Sequence, residues 1–146
     1  IRRLLEAKRK PERIVLLVQK EVAERIVARP PARGARAGDG KESILSISVK
    51  VFGDPRIVRV GPAGAFHPRP RVDSAVIAIE RIGNPFKTKK DEARFFALLK
   101  RGFAHKRKLL RTNLRVSEES LAARNIAPLA RAEDLAVADW LALSRN

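Results

Sequence analysis

The segment Ala65-Phe66-His67-Pro68-Arg69-Pro70-Arg71-Val72-Asp73-Ser74 sets an aromatic ring and two guanidinium groups on a stretch stiffened by alternate prolines. Each proline fixes its own φ and biases the preceding residue away from helix, which holds Phe66 and His67 in an extended or turn geometry. An aromatic on such a loop beside Arg69 and Arg71 suits base stacking, with the guanidinium groups on phosphate. Stacking of this kind contributes about 1–3 kcal/mol per base. The plainer alternative is a loop whose Phe tucks into the core and whose arginines are solvated.

A second segment, from Lys100 to Arg111 (KRGFAHKRKLLR), holds six permanent cations and no acid. Like charges at helical spacing repel, so the segment is more stable against a polyanion than in free solution. A charge run is ordinarily a solvated helix face, but the absence of acids favours nucleic-acid contact. Lys100, Arg101, Lys106, Arg107, Lys108 and Arg111 are the candidate phosphate ligands, with Leu109, Leu110 and Leu114 anchoring the helix. Third is the junction Gln19-Lys20-Glu21. Ligands in open parallel sheets sit beyond the carboxyl ends of strands, so these residues are candidates to line a site. Glu21 equally suits a first helical turn. There is no G-x-G-x-x-G, P-loop or H-E-x-x-H motif, and His67 and His105 lack a companion for metal binding or acid–base work. A Gly-rich nucleotide or S-adenosylmethionine site cannot be built from this chain.

These segments need a scaffold. Arg13 to Gln19 is a continuous apolar run, the pattern of a strand buried on both faces. Ile1 to Arg9 reads as a short helix that Pro11 helps to end, and Lys20 to Ala28 as a helix with Val22, Ile26 and Val27 on one face. Strand, tight turn and helix in succession suggest one unit of a parallel α/β sheet. Arg29 to Lys41 (RPPARGARAGDGK) is a flexible basic loop by composition. Ser43 to Phe52 is β-branched and reads locally as strand. Arg56 to Val60 and Ala75 to Ile82 read as strands joined by the Gly/Pro-rich connection Gly61 to Asp73. After Gly83-Asn84-Pro85-Phe86 the pattern turns helical. Thr88-x-x-Asp91 is a capping-box signature leading a helix that buries Phe96, Leu99 and Phe103. His105 to Leu114 is a second, very basic helix, Ser117 caps a third, and Asp134 to Leu143 with Trp140 is a fourth.

The 146 residues carry 32 Lys+Arg against 16 Asp+Glu, a formal charge of +16, with 45% apolar residues. Such a chain can bury a core and is not broadly disordered. The excess is spread over the chain, 18 to 9 before Lys87 and 14 to 7 from it onward. With no Cys there is neither a disulfide framework nor a thiolate metal site. No run nears the roughly 18 apolar residues of a membrane span. The charge points to a polyanion, nucleic acid or an acidic membrane face. An anionic-membrane binder lacks here an amphipathic helix with a continuous apolar face. The chain opens at Ile1 and contains no Met, which reads as a piece of something longer.

In order, VQKEVAERIVARP, LSISVKVF, VGPAGAFHPRPRVDSAVIAIE, FFALLKRGFAHKRKLLRTNL and RAEDLAVADWLAL resemble the rRNA adenine dimethyltransferases of the kasugamycin-resistance type. These methylate N6 of adjacent adenines near the 3′ end of small-subunit rRNA. The motifs F-x-P-x-P-x-V-D-S and F-x-x-K-R-K-x-L-x-x-N-L carry the resemblance together. It covers only the later part of the family's sequence: the Gly-rich S-adenosylmethionine motif, the acidic ribose-binding position and the Asn-Leu-Pro-Tyr type motif are absent from these residues.

The resemblance implies an α/β fold, the C-terminal half of a Rossmann-like S-adenosylmethionine-dependent methyltransferase sheet (residues 1–83), followed by a small all-α rRNA-binding domain (residues 84–146). It implies that Phe66 stacks on the flipped-out target adenine, that Lys106, Arg107, Lys108 and Arg111 meet phosphates, and that Ser43 to Phe52 is helical against its propensity. The sheet should then be incomplete, with apolar surface exposed where other strands would pack. The methyl donor, S-adenosylmethionine, would be bound by residues outside this sequence, leaving these residues inactive alone. Small-subunit rRNA or its precursor particle is the implied partner, with a cytoplasmic, monomeric protein and no membrane contact. The Arg33 to Gly40 loop departs from relatives, which tend to be shorter there and end in Tyr-Gly. Alternatives are the erythromycin-resistance branch, which acts on large-subunit rRNA, and a non-catalytic RNA- or ribosome-binding assembly factor. RAEDL and the basic KRKLLRTNL segment favour the small-subunit branch.

Overall fold

The computed structural model describes residues 1–5, 7, 9–28 and 40–145. The basic loop expected over Arg29 to Lys41 therefore lies outside the described residues up to position 39. The chain forms two compact units, Ile1–Ala28 with Ser48–Pro85, and Arg29–Ile47 with Phe86–Asn146.

The first unit holds helix α1 (Arg2–Leu5), strand β1 (Ile14–Gln19), helix α2 (Lys20–Val27), the end of helix α3 (Ile44–Lys50), and strands β2 (Asp54–Gly61) and β3 (Ser74–Glu80). The sheet order is β1-β3-β2, and β3 is antiparallel to both neighbours. β1 and β2 thus point the same way but do not pair; the parallel ladder suggested by the strand–helix succession is replaced by an antiparallel strand inserted between them. The register sets Gln19 and Gly61, the last residues of β1 and β2, both opposite Ser74.

Burial alternates along the strands as the pleat requires. Ala75, Ile77 and Ile79 of β3 are fully buried, as are Ala23 and Ile26 on the inner stripe of α2. The apolar run of β1 predicts burial on both faces, but only Ile14 is buried, while Val15 and Leu17 are 57% and 58% exposed. Val15 and Leu17 stand opposite Ala78 and Val76, so they share the face that α2 does not need for its core. Gly53, just before β2, is required by close approach: a Cβ there would stand 2.9 Å from the Glu80 carbonyl oxygen and 3.0 Å from Ile79 Cγ2.

α3 is helical, against its β-branched composition. The Ser43 hydroxyl accepts from the Ser46 amide at 3.1 Å, and the Ile47 amide donates to the Ser43 carbonyl at 3.0 Å, which closes the first turn. Burial of Ile47 and Val49 then outweighs a strand preference that is itself mostly a packing preference.

Among the described residues the second unit contains helices and turns only: the start of α3, α4 (Lys89–Gly102), α5 (Leu110–Leu114), α6 (Glu118–Ala122), a 3₁₀ turn at Ala132–Asp134, and α7 (Val137–Ser144). The residues leading into α3 belong here, since the Glu42 amide donates to the Glu133 carbonyl at 2.9 Å and Lys41 pairs with Glu133. α4 opens with the expected capping box: Thr88 Oγ1 accepts from the Asp91 amide at 3.1 Å and the Thr88 amide donates to Asp91 Oδ2 at 3.0 Å. It buries Phe95 and Leu99 completely, whereas Phe96 and Phe103, expected in the core, are half-buried. Residues 95 and 99 are one helical turn apart, so once Phe95 faces inward Phe96 turns toward the rim, 5.3 Å edge-on to Phe95. Ser117 caps α6 by accepting from the Ser120 amide. α7 begins at Val137 rather than Asp134, whose carboxylate instead accepts from the Arg131 amide and closes the 3₁₀ turn.

Candidate nucleic-acid interface

Two surfaces, one on each unit, collect the residues singled out from the sequence. On the sheet unit, the connection from β2 to β3 begins with a 3₁₀ turn at Ala63–Ala65 and delivers Phe66 at its end. Asp73 fastens this loop at both ends. Its Oδ1 accepts from the Ala63 amide at 2.9 Å, and its carbonyl accepts from the Lys20 amide, the first of α2, at 2.9 Å. The Phe66 ring rests over Gly61, where a Cβ would stand 3.4 Å from Cε2, and the side chain is half-buried. Phe66 thus neither enters the core nor lies free. Arg69 and Arg71 are exposed beside it, and the His67–Pro68 peptide is cis. The same register brings Gln19 and Lys20 to the base of this loop, so the β1–α2 junction and the Phe66 segment meet at the carboxyl ends of β1 and β2. Glu21 is committed to Arg25 at 2.7 Å. At the opposite end of β3, Arg56 holds the Glu80 carboxyl below the usual carboxylate range by hydrogen bonds at 3.2 and 3.3 Å, with Arg13 adding an ion pair at 3.0 Å.

On the helical unit the basic run is not one helix. α4 ends at Gly102, residues 103–109 form turns, and α5 begins only at Leu110. Asn113 explains the break. Its Nδ2 donates to the Gly102 carbonyl at 2.6 Å and to the His105 carbonyl at 3.1 Å, satisfying acceptors that a continuing helix would have used. The turn also spares Lys106, Arg107 and Lys108 the repulsion of helical spacing, and all three are exposed, as are Lys100 and Arg101. Leu110 and Leu114 anchor α5 in the core, while Leu109 is half-buried. Arg111, grouped with these cations in the sequence, is half-buried and ion-paired with Glu118 at 2.9 Å, so its charge is already partnered.

Beside the turn lies a concavity of about 710 Å³ lined by Arg101, His105, Lys108, Thr112, Asn113 and Arg115. Of these, Arg101 and Lys108 are the phosphate-binding candidates legible in the sequence. Asn113 was visible in the K-R-K-x-L-x-x-N-L spacing, but its part, holding the turn, shows only in the fold.

The chain matches the family described as Ribosomal RNA adenine dimethylase over residues 1–146. It is 38% identical over 148 residues to Ribosomal RNA small subunit methyltransferase A of Dehalococcoides mccartyi, covering 96% of this chain and 48% of that protein. Its identity to the protein of the same name from Trichormus variabilis is 42% over 139 residues, covering 90% and 48%. The chain therefore spans about half the length of the curated relatives it matches. Among solved structures, a dimethyladenosine transferase from Plasmodium falciparum aligns with a TM-score of 0.69 at 25% identity, covering 97% of this chain and 59% of that one. The 23S rRNA methyltransferase ErmE aligns at 0.65 and 20%, covering 97% and 56%, a likeness of fold. This chain belongs to the ribosomal RNA adenine dimethylase family, and its fold is the α/β type of rRNA methyltransferases.

The described residues do not fit S-adenosylmethionine. β1 passes directly into α2 with Gln19 as the cap, leaving no glycine-rich turn, and the space above Gly61 is taken by the Phe66 ring. No group of three or more His, Asp or Glu suited to a metal occurs among the described residues, and no helix there is long and apolar enough to cross a membrane.

Proposed function

We propose that this chain serves small-subunit rRNA (adenine-N6,N6-)dimethylation, with S-adenosylmethionine as methyl donor, by presenting the target adenine and gripping the RNA. Membership of the family over the whole chain is the observation that carries this reading. The sheet unit is the C-terminal half of a Rossmann-like methyltransferase sheet, and the helical unit is an all-α rRNA-binding domain that begins its main part at Phe86, close to the expected boundary at 83/84, and also takes in Arg29–Ile47. Phe66, fastened by Asp73 and backed by Gly61, offers one face to a flipped-out adenine, and Arg69 and Arg71 hold the adjacent phosphates. An exocyclic amine is a poor nucleophile because its lone pair is delocalised into the ring, so the base must be clamped before transfer. Phe66 supplies the clamp; nothing in these residues supplies the cofactor cradle, and alone they bind without transferring methyl. Lys100, Arg101, Lys106, Arg107 and Lys108 are solvent-facing cations for the rRNA backbone. The partner is small-subunit rRNA or its precursor particle, in the cytoplasm, and the chain acts as a monomer without membrane contact.

The test is salt-dependent binding of the chain to small-subunit rRNA. About four neutralised phosphates give a log–log slope of roughly −3 to −4, and replacing Lys106, Arg107 and Lys108 by Ala should flatten it by about 2 to 3. An unchanged slope would move the RNA face elsewhere, and equal preference for large-subunit rRNA would favour the other branch.

A further inference from the structure

The concavity between the turn and α5 gathers cations of the basic run with one from the end of α5. Arg101, Lys108 and Arg115 line it with no carboxylate among the lining residues. The lining side chains are themselves fixed: Asn113 Nδ2 donates to the carbonyls of Gly102 and His105, and Arg101 donates to that of Leu114 at 2.7 Å. What is left for a ligand is donor-rich, three cations and the Thr112 hydroxyl. The volume of about 710 Å³ far exceeds a water's share of the liquid, about 30 Å³, and has room for a base and ribose beside a phosphate.

Arg115 adds a second observation. It ends α5 in the left-handed region with φ of 57°, where helices commonly place Gly or Asn. A cationic side chain placed at such backbone cost on the wall of a cationic hollow points to a use for that side chain.

We infer that this concavity is a socket for one nucleotide of a single-stranded or looped-out RNA segment, its phosphate held by Arg101, Lys108 and Arg115. The inference rests on the RNA-binding reading and deepens it: the helical unit grips RNA at a built site as well as by its general charge. Thr112 and Asn113 then lie where ribose or base would be.

Two Arg115 variants separate binding from folding. Arg115→Gln removes the cation, and Arg115→Gly removes it while relieving the left-handed strain, so it should raise the thermal midpoint. Both should weaken binding of a short labelled single-stranded RNA by about 5- to 10-fold and reduce the salt slope by about 0.7. Lys90→Gln, an exposed lysine of the same unit outside the concavity, should change affinity by less than about twofold. Adenosine monophosphate should shift the Thr112 and Asn113 amide resonances more than inorganic phosphate at equal ionic strength. If the unaltered chain binds RNA and Arg115→Gly binds equally well, the socket is refuted while the RNA reading stands. If the unaltered chain fails to bind RNA even at low salt, both fall. Equal shifts with both anions would overturn the nucleotide socket and leave a free-anion site.

Discussion

Gly102→Ala sets two effects of opposite sign against each other. Gly102 is the last residue of α4, and alanine there gains up to about 1 kcal/mol of helix propensity. The added Cβ, however, would stand 2.2 Å from Trp140 Cη2 and 2.9 Å from Cζ3. Ordinary carbon contacts need about 3.5 Å, so indole and helix must separate by about 1.3 Å. Trp140 cannot yield outward, because it is fully buried and stacks on Phe103 with centroids 5.7 Å apart. Overpacking of this severity costs about 3 kcal/mol, leaving a net loss of about 2 kcal/mol after the propensity gain. At about 4–8 °C per kcal/mol for a unit of this size, the midpoint should fall by about 8–16 °C. Thermal unfolding followed by far-ultraviolet circular dichroism reads this directly. The Gly102 carbonyl also anchors Asn113, so the same variant should weaken RNA binding below its melting range. A midpoint unchanged or raised would show that propensity governs the site and that the α4–α7 packing described above is wrong.

Three further outcomes follow from the sheet unit. With 2-aminopurine at the target position of a single-stranded RNA, Phe66→Ala should abolish the fluorescence quench on binding while changing affinity little; a retained quench would remove Phe66 from the stacking role. Asp73→Ala deprives the Ala63 amide of its acceptor at about 1–2 kcal/mol and should weaken the same quench, with Asp73→Asn restoring it. Glu80 is held below its usual pKa chiefly by the Arg56 hydrogen bond, so its contribution is present above the ordinary carboxylate range and disappears as pH falls through its lowered value. Glu80→Gln should therefore flatten the acid limb of the stability profile, and an unaltered limb would show that the Arg56 pair contributes nothing.

Much of the chain's local structure was legible because its causes are local. Thr88 and Asp91 are three residues apart and close their own capping box, Ser117 caps α6 through Ser120, and α2 is helical as expected, although it buries Ala23 with Ile26 and leaves Val22 and Val27 half-buried. The acid-free basic pattern of residues 100–111 and the proline-stiffened Phe66 segment likewise announced exposed cations and a fixed aromatic. The errors fall where distant residues decide. Nothing near β1 reveals that β3, some sixty residues later, will insert between it and β2. Local propensity misreads α3 as strand, whereas the resemblance gives it as the helix it is, because its form depends on what buries Ile47 and Val49.

The basic run is the sharpest case. Its charges were certain from the sequence, since ionisation of Lys and Arg needs no fold. Their arrangement was not, because the continuation of α4 is interrupted by a side-chain amide eleven residues beyond Gly102, and Arg111 is withdrawn from solvent by Glu118. The sequence by itself determined a basic, two-part chain with one rigid aromatic loop and the family to which its motifs point. Only the tertiary structure decided which cations share a hollow, because a hollow is made by carbonyls, caps and buried rings whose energies depend on contacts across the chain.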